Sequence, residues 1–265
     1  MNASWQRLKG RFEAGVLRSL PRASLQALVV RLAEEDPQML VEALGPRLNR
    51  TPTLETMPFD VPIHGPLQFE HLAGLFASTS LDHAVISMTV RQAAYVFGLV
   101  RQMNARKIIE IGRYKGGSTL LLAAAMGPEG TLWSIDLGEK LERLDGAASA
   151  RSVDAQLAHL CEQFGLRVHS IVGDSRTVGI ETGPVDVVFI DGDHSVEGVA
   201  SDVERFGTRV RLGGAVLFDD AFDEALCKTH SATVGKVVRA IVDQGEFRLV
   251  KVVNRLAHLE RVRHA

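Results

Sequence analysis

The residues most able to do chemistry are acids placed where apolar runs end: Glu110 in KIIEIG, Asp136 in LWSID, Asp174 in SIVGD, Asp191 in VVFID and the pair Asp219-Asp220 in AVLFDD. Short β-rich runs separated by helix-length segments imply a parallel α/β sheet, and such sheets bind ligands outside the carboxyl ends of their strands. All six carboxylates are therefore expected on one rim, where anions without partners would repel one another. Asp191 and the Asp219-Asp220 pair end strands expected to be neighbours. Three converging carboxylates with no cysteine suit a hard divalent cation, magnesium first, with manganese or calcium as substitutes. His194 follows Asp191 by three residues. Its imidazole, with an unperturbed pKa near ~6.5, would be kept neutral by an adjacent cation and could accept a proton near neutral pH. The competing reading of His194 is a cap or solvated side chain at a helix start. Asp193 is expected to cap the helix that follows.

The stretch IIEIGRYKGGSTLLLAAA runs from a strand through a glycine turn into a helix. Gly112, Gly116 and Gly117 permit tight backbone and close approach of a ligand. Ser118 and Thr119 open a helix whose free N–H groups favour a polar or anionic group. A Walker loop needs lysine directly after the last glycine, and here Lys115 precedes Gly116. A dinucleotide turn needs glycine where Tyr114 stands, and tyrosine would crowd a pyrophosphate. A nucleoside ligand without phosphates tolerates Tyr114.

These residues are carried by a regular alternation. Strands are expected at about 107–111, 131–135, 168–172, 186–190 and 214–218, and helices at about 89–103, 117–126, 150–164, 195–211 and 231–243. The last two strands, 247–252 and 255–260, are separated by only two residues and must form an antiparallel hairpin. The predicted fold is α/β, a doubly wound, mostly parallel seven-stranded sheet with its last strand antiparallel. Residues 1–85 are expected to form an N-terminal helical extension or lid, with a helix start at Asp36-Pro37 and a proline-rich stretch at 50–66, and residues 86–265 the main domain.

The segment E-I-G-x-x-x-G-G-S-T, Asp136 following Glu110 by 26 residues, and Gly173-Asp174 resemble class I S-adenosylmethionine-dependent methyltransferases over roughly residues 86–265. The acid ending strand four and the acid pair ending strand five further resemble the divalent-cation-dependent small-molecule O-methyltransferases, the catechol, caffeoyl and antibiotic-sugar group. The resemblance implies that Glu110, Gly112, Tyr114, Gly116, Ser118, Asp136, Asp174 and Asp191 line the cofactor S-adenosylmethionine. Within that set Gly112 approaches its methionine part, Asp136 its ribose hydroxyls and Asp174 its adenine amino group. It implies that Asp191, Asp219 and Asp220 hold Mg2+, or Mn2+ or Ca2+, and that His194 stands where catechol-type enzymes carry a lysine base. The implied reaction moves a methyl group to a hydroxyl of a small vicinal diol (a sugar, a glycosylated natural product or a catechol). The alternatives are a cofactor-binding scaffold without transfer activity and an NAD oxidoreductase. Tyr114 and the closing hairpin oppose the oxidoreductase.

Composition bounds the rest. The chain has 265 residues, 46% hydrophobic and 23% charged, with a net charge of −2. That balance argues against a general nucleic-acid or membrane-surface binder, and no apolar run approaches the ~20 residues of a membrane span. MNASWQRLKG lacks the apolar core of a secretory signal, and Cys161 and Cys227 fit free thiols in a reducing cytoplasm. The N-terminal helices offer a surface for a homodimer or larger homo-oligomer. His230 is a secondary candidate in the loop after strand five, and His71 and His83 are expected to be packing or surface residues.

Overall fold

The computed structural model describes residues 63, 65–76, 85–138, 147–221 and 230–263. The chain divides into two compact units, residues 1–51 with 78–83, and residues 52–77 with 84–265. All described residues belong to the second. The expected N-terminal helices, most of the 50–66 stretch, His83, Cys227 and most of the 221–232 loop lie outside the described residues.

The second unit is one seven-stranded sheet in the order β3-β2-β1-β4-β5-β7-β6. Its strands are β1 Lys107–Ile111, β2 Thr131–Asp136, β3 Val168–Val172, β4 Val185–Ile190, β5 Val210–Phe218, β6 Phe247–Val253 and β7 Leu256–Arg261. The β1–β2, β1–β4, β2–β3 and β4–β5 pairs are parallel, while β7 is antiparallel to both β5 and β6. The helices are α1 Val90–Gln102, α2 Gly117–Met126, α3 Ala147–Gln163, α4 Val196–Arg205 and α5 His230–Gln244, with a 3-10 turn at Phe69–Phe76. The expected sheet, closing hairpin included, is the one observed.

Side-chain alternation along the strands builds two cores. Ile108, Leu132, Val187, Phe189 and Leu217 pack with α1, α2 and α3 on one face. Ile109, Ile111, Ile135, Val188, Ile190, Val216 and Phe218 pack with α4 and α5 on the other. Helix α2 is buried at all ten positions, so it is a central element of the first core. Helix α1 starts with a capping box. The Thr89 side chain accepts from the Gln92 backbone, and the Gln92 side chain accepts from the Thr89 backbone, the T-x-x-Q form of that signal.

One boundary differs from expectation. The helix expected over 195–211 ends at Arg205, a 3-10 turn occupies Gly207–Arg209, and β5 begins at Val210. Gly207 breaks the helix, and the start of β5 is pinned by an Arg211–Asp186 ion pair at 2.6 Å and by the buried Arg261, which donates to the Val210 carbonyl at 2.7 Å. These partners are distant in sequence, so the local pattern could not show them.

Candidate active site

Parallel pairing carries on past the strand ends and sets the acids at one level. Gly112 N–H donates to Ile135 O, Gly173 to Asp136 O, Asp191 to Ile111 O and Asp219 to Ile190 O, at 2.8–3.1 Å. Strand order reverses between β1 and β4, so the glycine turn and Asp191 flank the switch point where α/β sheets open a crevice.

Gly112 has φ +92°, and a Cβ there would lie 2.1 Å from the Asp191 carbonyl oxygen. This glycine lets the ends of β1 and β4 close on one another. Gly116 is left-handed at φ +80° and begins α2 without a side-chain cap. Between them Tyr114 also has positive φ, +47°, a conformation that costs a non-glycine residue about 1–2 kcal/mol. The turn is held from two sides. Asp136 Oδ2 accepts the N–H groups of Arg113 at 2.7 Å and Tyr114 at 2.9 Å, and its Oδ1 accepts from Gly138 at 2.6 Å. The buried Arg113 side chain donates to Ser134 O at 2.9 Å and pairs with Asp154 at 3.0 Å. Asp136 thus spends three acceptor positions on backbone, of the roughly four a carboxylate offers.

Glu110 is not on the rim, contrary to expectation. It shares a strand face with Ile108, beneath α2, and is fully buried. Its Oε2 accepts from Thr119 Oγ1 at 2.6 Å and Ser134 Oγ at 2.5 Å, while Oε1 is enclosed without a hydrogen-bond partner. Burial raises its pKa, against the opposing pull of the Ser118, Ser134 and Thr119 hydroxyls and of Arg113. Period-two alternation forces this placement, and it makes Glu110 and the buried Ser118 a layer supporting the turn.

On the β3 side, Asp174 is gripped by Arg176, with Nη2 at 2.7 Å and Nε at 2.9 Å. That contact holds its carboxyl below the usual range. Leu137 and Val172 stand exposed at the ends of β2 and β3, at 49% and 66%. Val172 is the register partner of Asp136 and Leu137 follows it in the chain, so the two set an apolar lip beside Asp136. Sequence reading passed over both, since an isolated leucine or valine carries no motif.

Across the switch point, donor atoms of Asp191, His194 and Asp220 lie within 4.8 Å of one another, all half-buried. His194 Nε2 is 3.4 Å from Asp191 Oδ1 and 3.8 Å from Asp220 Oδ2. Thr233 of α5 anchors the loop by donating to the His194 carbonyl at 2.5 Å. Asp219 is set one step back from that cluster. It is buried, its Oδ1 accepts from Gln92 Nε2 at 3.0 Å, and its Oδ2 is enclosed without a hydrogen-bond donor. Burial and then the charges of Asp191 and Asp220 push its pKa up, and Arg255 opposes them. For His194 the hydrogen bond to Asp191 raises the pKa, burial lowers it, and the Asp191, Asp220 and Asp219 charges raise it further. Asp193 does not cap α4 directly. Ser195 is the N-cap, accepting from Gly198 N–H, and Asp193 braces Ser195 through its N–H and Oγ. His71 is half-buried and accepts from Gln68 N–H at 2.9 Å.

Residues 109–221 match the methyltransferase-domain family. Over that stretch the chain resembles a methyltransferase domain. The kinship read from the glycine turn and the acids holds, since the relatives are O-methyltransferases of the same group. The chain is 27% identical over 158 residues to a flavonoid 3',5'-methyltransferase of Vitis vinifera, covering 58% of this chain and 65% of the relative. It is 30% identical over 123 residues to a catechol O-methyltransferase of Mycobacterium tuberculosis, covering 46% and 51%. The chain thus spans between half and two thirds of the length of these curated relatives. Among solved structures, the cofactor-bound Rv0187 from MTB superposes with a TM-score of 0.52 at 22% identity, covering 68% of this chain and 83% of that one. The O-methyltransferase TomG from Streptomyces achromogenes, in complex with SAM, gives 0.50 at 20%, covering 77% and 93%. These two establish the shared fold.

Proposed function

We propose that the protein transfers a methyl group from S-adenosylmethionine to one hydroxyl of a small molecule bearing two adjacent oxygens, a sugar, a glycosylated natural product or a catechol. The cofactor would lie along the turn from Gly112 to Ser118, with its adenosine over the Leu137–Val172 lip between Asp136 and Asp174. The observation that carries the reading is the convergence of Asp191, His194 and Asp220. Two carboxylates, backed by the donor-less Oδ2 of Asp219, form a hard oxygen set that fits Mg2+, Mn2+ or Ca2+, and the imidazole stands beside it. A cation held there would lower the pKa of a chelated hydroxyl. The protein's own part is alignment of the nucleophile with the methyl donor and removal of a proton at His194 Nε2, typically worth ~10²–10⁴ in rate. The carboxylates that raise the His194 pKa are the ones a cation would engage, so ion binding would ease the imidazole toward its neutral, proton-accepting form.

Residues 86–265 would be the catalytic domain and 1–85 an extension that lids the site or joins two copies. Among the described residues no helix is long and apolar enough to cross a membrane, and the free thiol of Cys161 suits a cytoplasmic setting. The test is a methyl-transfer assay with magnesium against catechols, glycosides and hydroxylated polyketides. Activity should be lost in excess EDTA and in Asp220→Asn, with cofactor binding retained. Undiminished turnover in EDTA would sink the cation role, and an unchanged rate in His194→Ala would remove the base.

A further inference from the structure

The closing hairpin does more than end the sheet. Because β7 runs antiparallel to β5, with Phe218 opposite Ala257, the turn between β6 and β7 is delivered to the carboxyl end of β5. Asn254 makes that turn at φ +52°, and the Arg255 carbonyl accepts from Ala221 N–H at 2.9 Å. The turn is thereby fixed beside the acid pair. Its guanidinium takes one oxygen from each acid: Nη1 lies 3.0 Å from Asp220 Oδ1 and Nη2 3.8 Å from Asp219 Oδ2. Nη2 also donates to the Ser87 carbonyl at 3.4 Å, in the segment leading into α1. Asp220 is split between two duties, with Oδ1 on Arg255 and Oδ2 turned toward His194. Asp220 itself sits at φ +53°, in the left-handed region.

We propose that Arg255 is a built-in counter-ion that holds Asp219 and Asp220 in place when no divalent ion is bound, and that it sets how tightly such an ion binds. The proposal rests on the cation reading of the Asp191–His194–Asp220 site. Three carboxylates crowd this corner. A cation at their centre and a guanidinium on their outer side draw on the same negative charge, so each weakens the hold of the other. A guanidinium can fork across two acids, whereas an ammonium is a point charge. Charge and geometry can therefore be separated by substitution.

The experiment is calorimetric titration of the full chain with MnCl2, for the wild type, Arg255→Gln, Arg255→Lys and Asp191→Asn, paired with thermal melts with and without the ion. Arg255→Gln should bind Mn2+ about tenfold tighter, as expected when one facing positive charge leaves a partly solvated site. Arg255→Lys should stay within about threefold of the wild type. Without ion, Arg255→Gln should melt below the wild type, and excess Mn2+ should close the gap. A purely structural arginine would lower stability without tightening the ion. Equal or weaker binding by Arg255→Gln, with binding abolished in Asp191→Asn, overturns the counter-ion role and leaves the cation site standing. Binding by Arg255→Gln that the wild type lacks supports the counter-ion and refutes a native cation site. No binding by either overturns both. Should Arg255→Gln not fold, the lysine variant decides: a folded, ion-free Arg255→Lys that binds Mn2+ within about threefold of the wild type supports a role of charge, and a larger change in either direction overturns it.

Discussion

Replacing Gly112 with alanine tests whether this glycine serves the β1–β4 closure. Two costs add. Alanine at φ +92° carries a left-handed penalty of about 1–2 kcal/mol. Its Cβ would also stand 2.1 Å from Asp191 O and 2.5 Å from Asp191 C, and relieving such overpacking against backbone costs about 1–3 kcal/mol. The sum is about 2–5 kcal/mol, a large share of the ~5–15 kcal/mol that keeps a domain folded. Gly127→Ala is the control. It too has positive φ, +72°, but a Cβ there meets nothing within 4 Å, so only the backbone term of about 1–2 kcal/mol applies. Urea unfolding followed by circular dichroism reads both variants. With a slope of about 1–3 kcal/mol/M, Gly112→Ala should lower the midpoint by on the order of 1–2 M and Gly127→Ala by clearly less. Equal midpoints for the two variants would refute the closure argument. Because the clash falls on the Asp191 backbone, Gly112→Ala should also weaken cation binding, which Gly127→Ala should leave alone.

Asp202 of α4 is buried, its Oδ1 lacks a hydrogen-bond partner, and burial foremost raises its pKa from 3.8 to about 6. A raised folded-state pKa means that stability is fully present below about pH 4 and is lost as pH rises toward about 6. Asp202→Asn should therefore stabilise by roughly 1–3 kcal/mol at pH 7.5 and by little at pH 4, and melts showing the same gain at both values would contradict this. Gln92→Leu strips the donor from Asp219 and breaks the α1 cap together, for a loss of about 2–4 kcal/mol. Thr89→Ala removes the cap alone, at about 1 kcal/mol, so paired melts that match would show that the Asp219 contact contributes nothing.

The sheet was legible because each strand is a short apolar run with a polar stop, and because a two-residue gap between the last strands allows only a hairpin. The levels of the acids were legible for the same reason. Glu110 was misplaced on the rim because its position in the run, one residue before the last of β1, sets its face. Alternation from Ile108 would have put it under α2. Gln92 and Arg255 were not singled out. The T-x-x-Q capping box was visible, but nothing local shows that its glutamine reaches an acid 127 residues away. Arg255 opens the expected last strand, and only the antiparallel return of β7 turns its position into a contact with Asp219 and Asp220.

The premise that crowded anions need partners is met differently at each acid, and the differences sort structure from chemistry. Glu110 is answered by hydroxyls, Asp136 by backbone N–H groups, Asp174 by Arg176, and Asp219 by an amide, with Arg255 close by. An acid whose oxygens face inward offers little to a small ion that demands several oxygens at short range. Asp220 divides its carboxylate, Oδ1 to the hairpin arginine and Oδ2 to the crevice, and Asp191 presents Oδ1 to the same space beside His194. Capacity directed at a shared point is what a cation and a chelating diol require. By that criterion Asp191 and Asp220 would be the ligands in the cation reading proposed above and Asp219 their support, a division that three acids ending neighbouring strands could not reveal from their spacing alone.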